Sequence, residues 1–445
     1  MLASGISGTI EWTLEDDGTL FFAPVDGKEG TFDDSIGYAG YGAEEYSGYD
    51  WNKYYKKINK IKSTGILYLA ENSNYMFIGC SYLTDIDGLK NFSAENVKSM
   101  VCMFEDCTAL TSIDALKDWN IQNVERMDYI FNHCSSLSTI SVLQNWNTKN
   151  VTDMSGMFAD CRSLAIIDAL KDWNTQNVTD MSFMFEGCSS LSTIKALKNW
   201  NTQNVEQMCF MFHCSSLSTI NALKNWNTQS VTKMRGMFYR CSKLTNINGL
   251  KTWNTDKVTD MNNIFCECSS LANIDALKNW NTQNVTDMES MFQDCSSLTN
   301  IDALKDWNTK NVTCMAWMFY GCSSLTNVDT LKDWNTGKVI DRRAIFDDCS
   351  SLKNVKLLDK WNQETSELSS EQHKTKSSQE NNPDKFDENG SNSSEKTENR
   401  EQVSKSTSIN GFQIAVSEGE TVTLLLKEKT LILKPVGDSI QVSYK

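Results

Sequence analysis

The sequence predicts an α/β repeat solenoid: eleven 26–27-residue coils, each with a short strand and a short helical turn, behind an N-terminal β-hairpin cap. Three observations carry this. A Trp recurs on one fixed step from Trp119 to Trp361, and only the interval from Trp200 to Trp226 is shorter, by a single residue. A Cys recurs on the same beat from Cys80 to Cys349. Between them, residues 150–174 form a clean copy of one unit, NVTDMSGMFADCRSLAIIDALKDWN. A fixed period in this range marks stacked units, none of which can bury its apolar face alone.

Before the array, Ile10, Trp12 and Leu14 alternate, Asp16-Asp17-Gly18 supplies a turn, and Leu20-Phe21-Phe22 leads a second strand, so 9–25 reads as a hairpin. A Gly- and Tyr-rich stretch follows (Tyr38, Tyr41, Tyr46, Tyr49), read as an ordered loop. Trp51, Tyr54, Tyr55, Ile58 and Ile61 fall at helical spacing. Residues 65–69 read as the strand that opens the solenoid. Because a solenoid end exposes a raw core, residues 1–65 are taken as the N-terminal cap and 66–362 as the repeat array.

Within a unit, Met154, Met157, Phe158 and Cys161 sit at i, i+3, i+4 and i+7, which predicts one face of a short helix capped by Thr152 or Asp153. Leu164, Ile167 and Ala169 then follow a spacing close to the leucine-rich pattern, whose L-x-L portion forms a short strand. At the strand spacing of about 4.8 Å, eleven coils give a stack roughly 50 Å long.

The MFxxCxxLxxI core with WNTxNVTxM resembles the bacterial surface-protein repeat of about 26 residues, the BspA-like leucine-rich-repeat family. The front end, Ser7-Gly8-Thr9-Ile10-Glu11-Trp12-Thr13-Leu14 followed by Asp17-Gly18-Thr19-Leu20, is similar to the segment that often precedes such repeats. The resemblance covers residues 7–362. It implies a secreted or cell-surface bacterial protein used for adhesion or other protein binding. The chain departs from the pattern in its longer unit, in Ala at the third Leu position, and in showing no leader or wall-anchor motif.

Eleven of the fifteen Cys lie in one apolar column, which reads as buried free thiols, with partial disulfides or metal as the alternatives. No Cys pair has the C-x-x-C spacing of a zinc site, so no metal and no cofactor are expected. His133 and His213 each precede a ladder Cys, but adjacent side chains diverge, so neither makes a Cys–His nucleophile and no enzyme is expected. The Asp and Asn of DWNT lack the EF-hand order and read as turn or ladder hydrogen bonders. The Lys column, Lys117 to Lys332, reads as a solvated face.

Function is expected where the repeats disagree. The residue two after the first Met varies from Cys102 through Tyr129, Gly156, Phe183, Phe210 and Gly236 to Trp317 and Ala344. Such variation predicts exposure, and exposed aromatics anchor interfaces; Tyr129, Phe183, Phe210 and Trp317 are the candidate contacts, and the pair after each Phe, which varies through Glu105-Asp106, Ala159-Asp160, Tyr239-Arg240 and Tyr320-Gly321, offers a second patch. A net charge of −15 argues against a nucleic-acid partner. No run of apolar residues is long enough to span a membrane.

The array winds down near Arg342-Arg343. Residues 363–408 have the composition of a disordered polar linker, and 409–445 alternate like three or four short strands. The sequence thus points to a monomeric, non-enzymatic surface or secreted repeat protein binding extracellular or host proteins. The alternative is a structural spacer that presents the C-terminal β segment from the cell envelope.

Overall fold

The computed structural model describes residues 1–35, 49–214 and 216–353, and the backbone of five strands between residues 405 and 444. Tyr38, Tyr41 and Tyr46, most of the polar linker, and the end of the array at Trp361 lie outside the described residues. Contacts divide the chain into two compact units, Met1–Ser377 and Ser378–Lys445.

The first unit opens with β1 (Ala3–Ser7), β2 (Ile10–Leu14) and β3 (Thr19–Pro24), an antiparallel meander. The expected hairpin is β2–β3, registered Leu14↔Leu20 and Trp12↔Phe22. Its turn works as the residues dictate: Gly18 takes φ +86°, and the Asp17 carboxylate accepts the Thr19 amide at 3.0 Å. β1 escapes sequence reading because ASGIS has no apolar alternation; of its five residues only Ser7 is buried.

Strand β4 (Glu29–Thr31) pairs in parallel with β6 (Ile66–Tyr68), and β6 with β7 (Phe92–Ser93). A 3₁₀ helix, Asp50–Lys57, follows the Gly/Tyr stretch, and β5 (Lys60–Ser63) pairs in parallel with β3. Phe22 joins this sheet to the array: its ring meets Trp51 at 5.0 Å, Phe92 at 5.7 Å and Phe77 at 6.5 Å, all edge-on. One core therefore runs from the sheet into the coils.

The repeated units form a solenoid. Parallel bridges link Asn72, Ser99, Arg126, Asp153 and Asp180, and so on to Asp341, one per unit. The predicted helix over Met154–Cys161 is absent. In its place stand consecutive turns, closed by Met157 N–H to Met154 O, Ala159 to Gly156 and Cys161 to Phe158. The intervening amides of Met154, Gly156, Phe158 and Asp160 leave the coil and donate to Asp180, Ser182, Met184 and Glu186 of the next. An α-helix would need those amides for its own i−4 carbonyls. It would also forbid the left-handed φ of +58° at Gly156 and +53° at Asp160. A run of short turns generates the same i, i+3, i+7 apolar spacing, which is why the pattern reads as a helix. Helical geometry falls later, in 3₁₀ turns such as Asp168–Leu170 and Lys195–Asn199, on residues assigned to the strand.

The motif residues are the stack's fasteners. Phe rings from Phe77 to Phe346 pile face to face at 5.4–6.0 Å and are buried, each worth about 2–3 kcal/mol in transfer terms. From Cys107 onward, each ladder thiol donates to the carbonyl of the Phe in the preceding coil, at 2.7–3.3 Å. Trp indoles, that of Trp146 excepted, donate to the preceding coil's Leu carbonyl, as Trp200 does to Leu170 at 2.9 Å. Thr175 Oγ1 donates forward to Asn201 O, and Asn177 Nδ2 back to Lys149 O. W-N-T-x-N is thus a set of inter-coil hydrogen bonds.

In the second unit the backbone forms β8 (Lys405–Ile409) with β9 (Phe412–Val416), and β10 (Val422–Leu426) with β11 (Lys429–Val436) and β12 (Ser439–Tyr444), all antiparallel. β8 begins inside the stretch expected to be linker.

Candidate functional site

The variable column occupies a left-handed turn position. Tyr129, Phe183, Phe210 and Trp317 have φ of 56°, 61°, 51° and 56°. For bulky residues this is uncommon backbone, held in place because each amide donates to the next coil, as Phe210 does to Arg235 O at 2.8 Å. The four side chains are half-buried rather than fully exposed. Two of them lie along the stack instead of pointing away from it. The Tyr129 ring covers Gly156 and the Phe210 ring covers Gly236 so closely that a Cβ at either glycine would collide with it.

The structure gathers two of the four. Phe183 and Phe210 stack at 5.7 Å with planes 9° apart, and Tyr239 closes on Phe210 edge-on at 6.0 Å. The Arg235 guanidinium lies 5.9 Å from the Phe210 ring, and that of Arg240 4.9 Å from the Tyr239 ring. Glu267 accepts from Tyr239 Oη at 3.1 Å and from Arg240 Nε at 2.9 Å. Burial, then the Glu267 carboxylate, pushes the Tyr239 hydroxyl up to about 12. Tyr129 and Trp317 belong to other coils; Arg343 lies 4.7 Å from the Trp317 ring. Tyr239 and Arg240 belong to the second varying column offered by the sequence, and the stack joins them to the first; Arg235 and Arg343 were not anticipated. The signal that could have found them is the pairing of a large ring with a small residue one coil on: Gly156 after Tyr129, Gly236 after Phe210, Ala344 after Trp317.

The ladder cysteines face inward and His133 outward. Cys134 Sγ donates to Phe104 O at 3.2 Å, and burial raises its thiol far above the ordinary range. His133 spans two coils, with Nδ1 3.0 Å from Asp106 and Nε2 2.9 Å from Asp160. Those two hydrogen bonds raise the imidazole to about 10. Ring and thiol have separate partners, so the pair has no nucleophile geometry. Among the described residues one group has metal-type donors in mutual reach: Asp287, Glu289 and Cys314, with ligand atoms within 4.8 Å. All three are half-buried; burial and then Asp287 raise the Glu289 carboxyl, and the Cys314 thiol, pushed up to about 12, lies 3.8 Å from it. The protonated thiol there serves as a donor to the carboxylate.

Stacked coils of fixed period joined by inter-coil ladders define a tandem-repeat protein. The model of the family described as "Mycoplasma protein of unknown function, DUF285" matches residues 71–192, 164–273, 245–361 and 269–386, more than half of the chain, which therefore belongs to that family. No curated protein matches the sequence. Among solved structures, a leucine rich cell surface protein from Faecalibacterium prausnitzii A2-165 aligns at 16% identity over 81% of this chain and 97% of its own, with a TM-score of 0.32. That likeness is too distant to carry residues or function across. Among the described residues no helix is long and apolar enough to cross a membrane.

Proposed function

We propose that this chain is a non-enzymatic surface or secreted repeat protein that binds extracellular proteins through its left-handed column. The observation that carries this is the Phe183–Phe210–Tyr239 cluster with Arg235 and Arg240. Aromatics and Arg are the side chains that dominate protein interfaces, and here they are pre-ordered: the backbone is fixed by inter-coil hydrogen bonds and the rings by each other. Docking a partner on such a surface freezes little further side-chain freedom. Tyr129 and Trp317 with Arg343 supply smaller anchors on other coils of the array. The protein acts as a monomer without a cofactor.

The test is binding of the full chain to a panel of purified extracellular-matrix and cell-surface proteins. The wild type is compared with Phe183→Ala/Phe210→Ala, and with Tyr129→Ala and Trp317→Ala. Capture lost in the double variant supports the reading. Capture that is unchanged in all variants moves the binding to another face. Where nothing is captured, the spacer reading takes over, for which the half-burial of these rings within the stack is the supporting feature.

A further inference from the structure

The chain is acidic, but its charge is segregated along the array. Between residues 187 and 255 the sequence holds one carboxylate, Glu206, against Lys195, Lys198, Lys224, Lys233, Arg235, Arg240, Lys243 and Lys251. That is a net charge of +7 (eight cations less one anion), so the rest of the chain carries −22 (−15 less 7).

The switch is sharpest on the 3₁₀ face. In outer coils the column Lys has acidic neighbours: Asp114 and Asp118 around Lys117, Asp168 and Asp172 around Lys171, Asp302 and Asp306 around Lys305, and Asp275 before Lys278. In the three middle coils these positions become Lys195 and Asn199, Asn221 and Asn225, Asn248 and Thr252. Lys195, Lys198, Lys224 and Lys251 are all exposed and, among the described residues, none has an ion pair. The tryptophans two residues after Lys198, Lys224 and Lys251 repeat at 6.4 Å with planes 3–4° apart, so the lysines form a regular row. Like charges at that pitch repel, and within these three coils no carboxylate on the same face offsets them.

We infer that this row, Lys198, Lys224 and Lys251 with Lys195, binds an anionic polysaccharide. The charge calls for a polyanion, and the rest of the face narrows it. The row is made of compact ammonium groups, which suit single sulfates or carboxylates, rather than the guanidinium forks that grip phosphates bidentately. Arg235 and Arg240 are already engaged with Phe210, Tyr239 and Glu267. Ser192 and Thr193 stand exposed just before Lys195, and exposed Asn221 and Asn248 hold its position in the next two coils, donors and acceptors for sugar hydroxyls. Acidic coils on both sides limit the footprint to three coils, about 15 Å at the strand spacing, so an oligosaccharide fits and a long duplex would run onto repelling surface. This site is independent of the aromatic column proposed to bind proteins, so either can fail alone.

The experiment is a titration of the full chain with a size-defined sulfated heparin hexasaccharide at two salt concentrations. The comparison variants are Lys198→Glu/Lys224→Glu/Lys251→Glu and Lys171→Glu/Lys305→Glu. Binding that weakens with salt, falls about tenfold or more in the triple variant and about twofold or less in the outer-coil variant supports the inference. Equal losses in the two variants, or no hexasaccharide binding, overturns it. So does equal or tighter binding of single-stranded oligothymidylate, which assigns the row to nucleic acid. Circular dichroism of each variant checks that the coils remain folded.

Discussion

If the Phe210 ring lies on Gly236, then Gly236→Ala should be far more costly with the ring present than without it. Gly236 has φ +59°, where an L-residue is disfavoured by about 1 kcal/mol or somewhat more. The new methyl also collides with Phe210, whose ring must leave its stack on Phe183 at 5.7 Å and its edge contact with Tyr239 at 6.0 Å. Aromatic pairs of this kind are worth roughly 0.5–1.5 kcal/mol each. Gly236→Ala should therefore cost about 2–3 kcal/mol in the wild type and about 1 kcal/mol in a Phe210→Ala background. Urea midpoints of the four proteins in the cycle, read at Trp fluorescence, give the coupling. Coupling of about 1–2 kcal/mol is expected; additivity within about 0.5 kcal/mol would refute the placement of the ring.

Other outcomes follow from the ladders. Trp226→Phe removes the indole donor to the Leu197 carbonyl at 3.0 Å, leaving it the Trp200 amide alone, and should cost about 1 kcal/mol more than Trp146→Phe, since the buried Trp146 Nε1 has no partner; equal urea-midpoint shifts would contradict this. The ladder thiols are raised in the folded protein, Cys241 to about 12, against about 8.5 when unfolded. Above that value the unfolded chain releases protons the folded chain keeps, so their stabilisation is full below about pH 8.5 and is lost toward pH 12. Unfolding midpoints at pH 8 and 10 should differ, less so in Cys241→Ala, and a flat profile would rule the thiols out as its cause. His133, raised to about 10 by Asp106 and Asp160, should stay protonated across pH 6–8 in an NMR titration; a midpoint near 6.5 would mean the two carboxylates do not hold it.

The solenoid was legible because its fasteners are side chains on a fixed beat: Phe, Cys, Trp, Thr and Asn recur wherever an inter-coil bond must be made. Local geometry was less so. Met154, Met157 and Cys161 share a face in an α-helix and in a run of turns alike, and only the destination of the intervening amides separates the two. The sequence does not encode that destination locally, since the acceptors lie a whole coil away, Asp180 for Met154 and Met184 for Phe158. The candidate aromatics were found from their variability. Their half-burial was not, because it depends on what stands one coil on: Gly156 beneath Tyr129, Gly236 beneath Phe210. Tyr239 reads from the sequence as part of a separate patch, because it sits in a different column and joins Phe210 only through the stack.

The short coil has a consequence for how such an array can change. Across the missing residue near His213 the amide ladder continues, with Phe210 bonding Arg235 and Phe212 bonding Met237, each partner one residue nearer in sequence than in the other coils. The Trp226 indole still reaches Leu197, likewise one residue nearer than Trp200 is to Leu170. Among the described residues the short turn gives up one rung, since the His213 amide makes no inter-coil bond where those of Gly187 and Arg240 do, and the rungs on either side keep their partners. A stack that hydrogen-bonds only between neighbours and tolerates a lost residue in this way behaves as a ruler with movable marks. Whole units can be gained or dropped without rewriting the coils on either side.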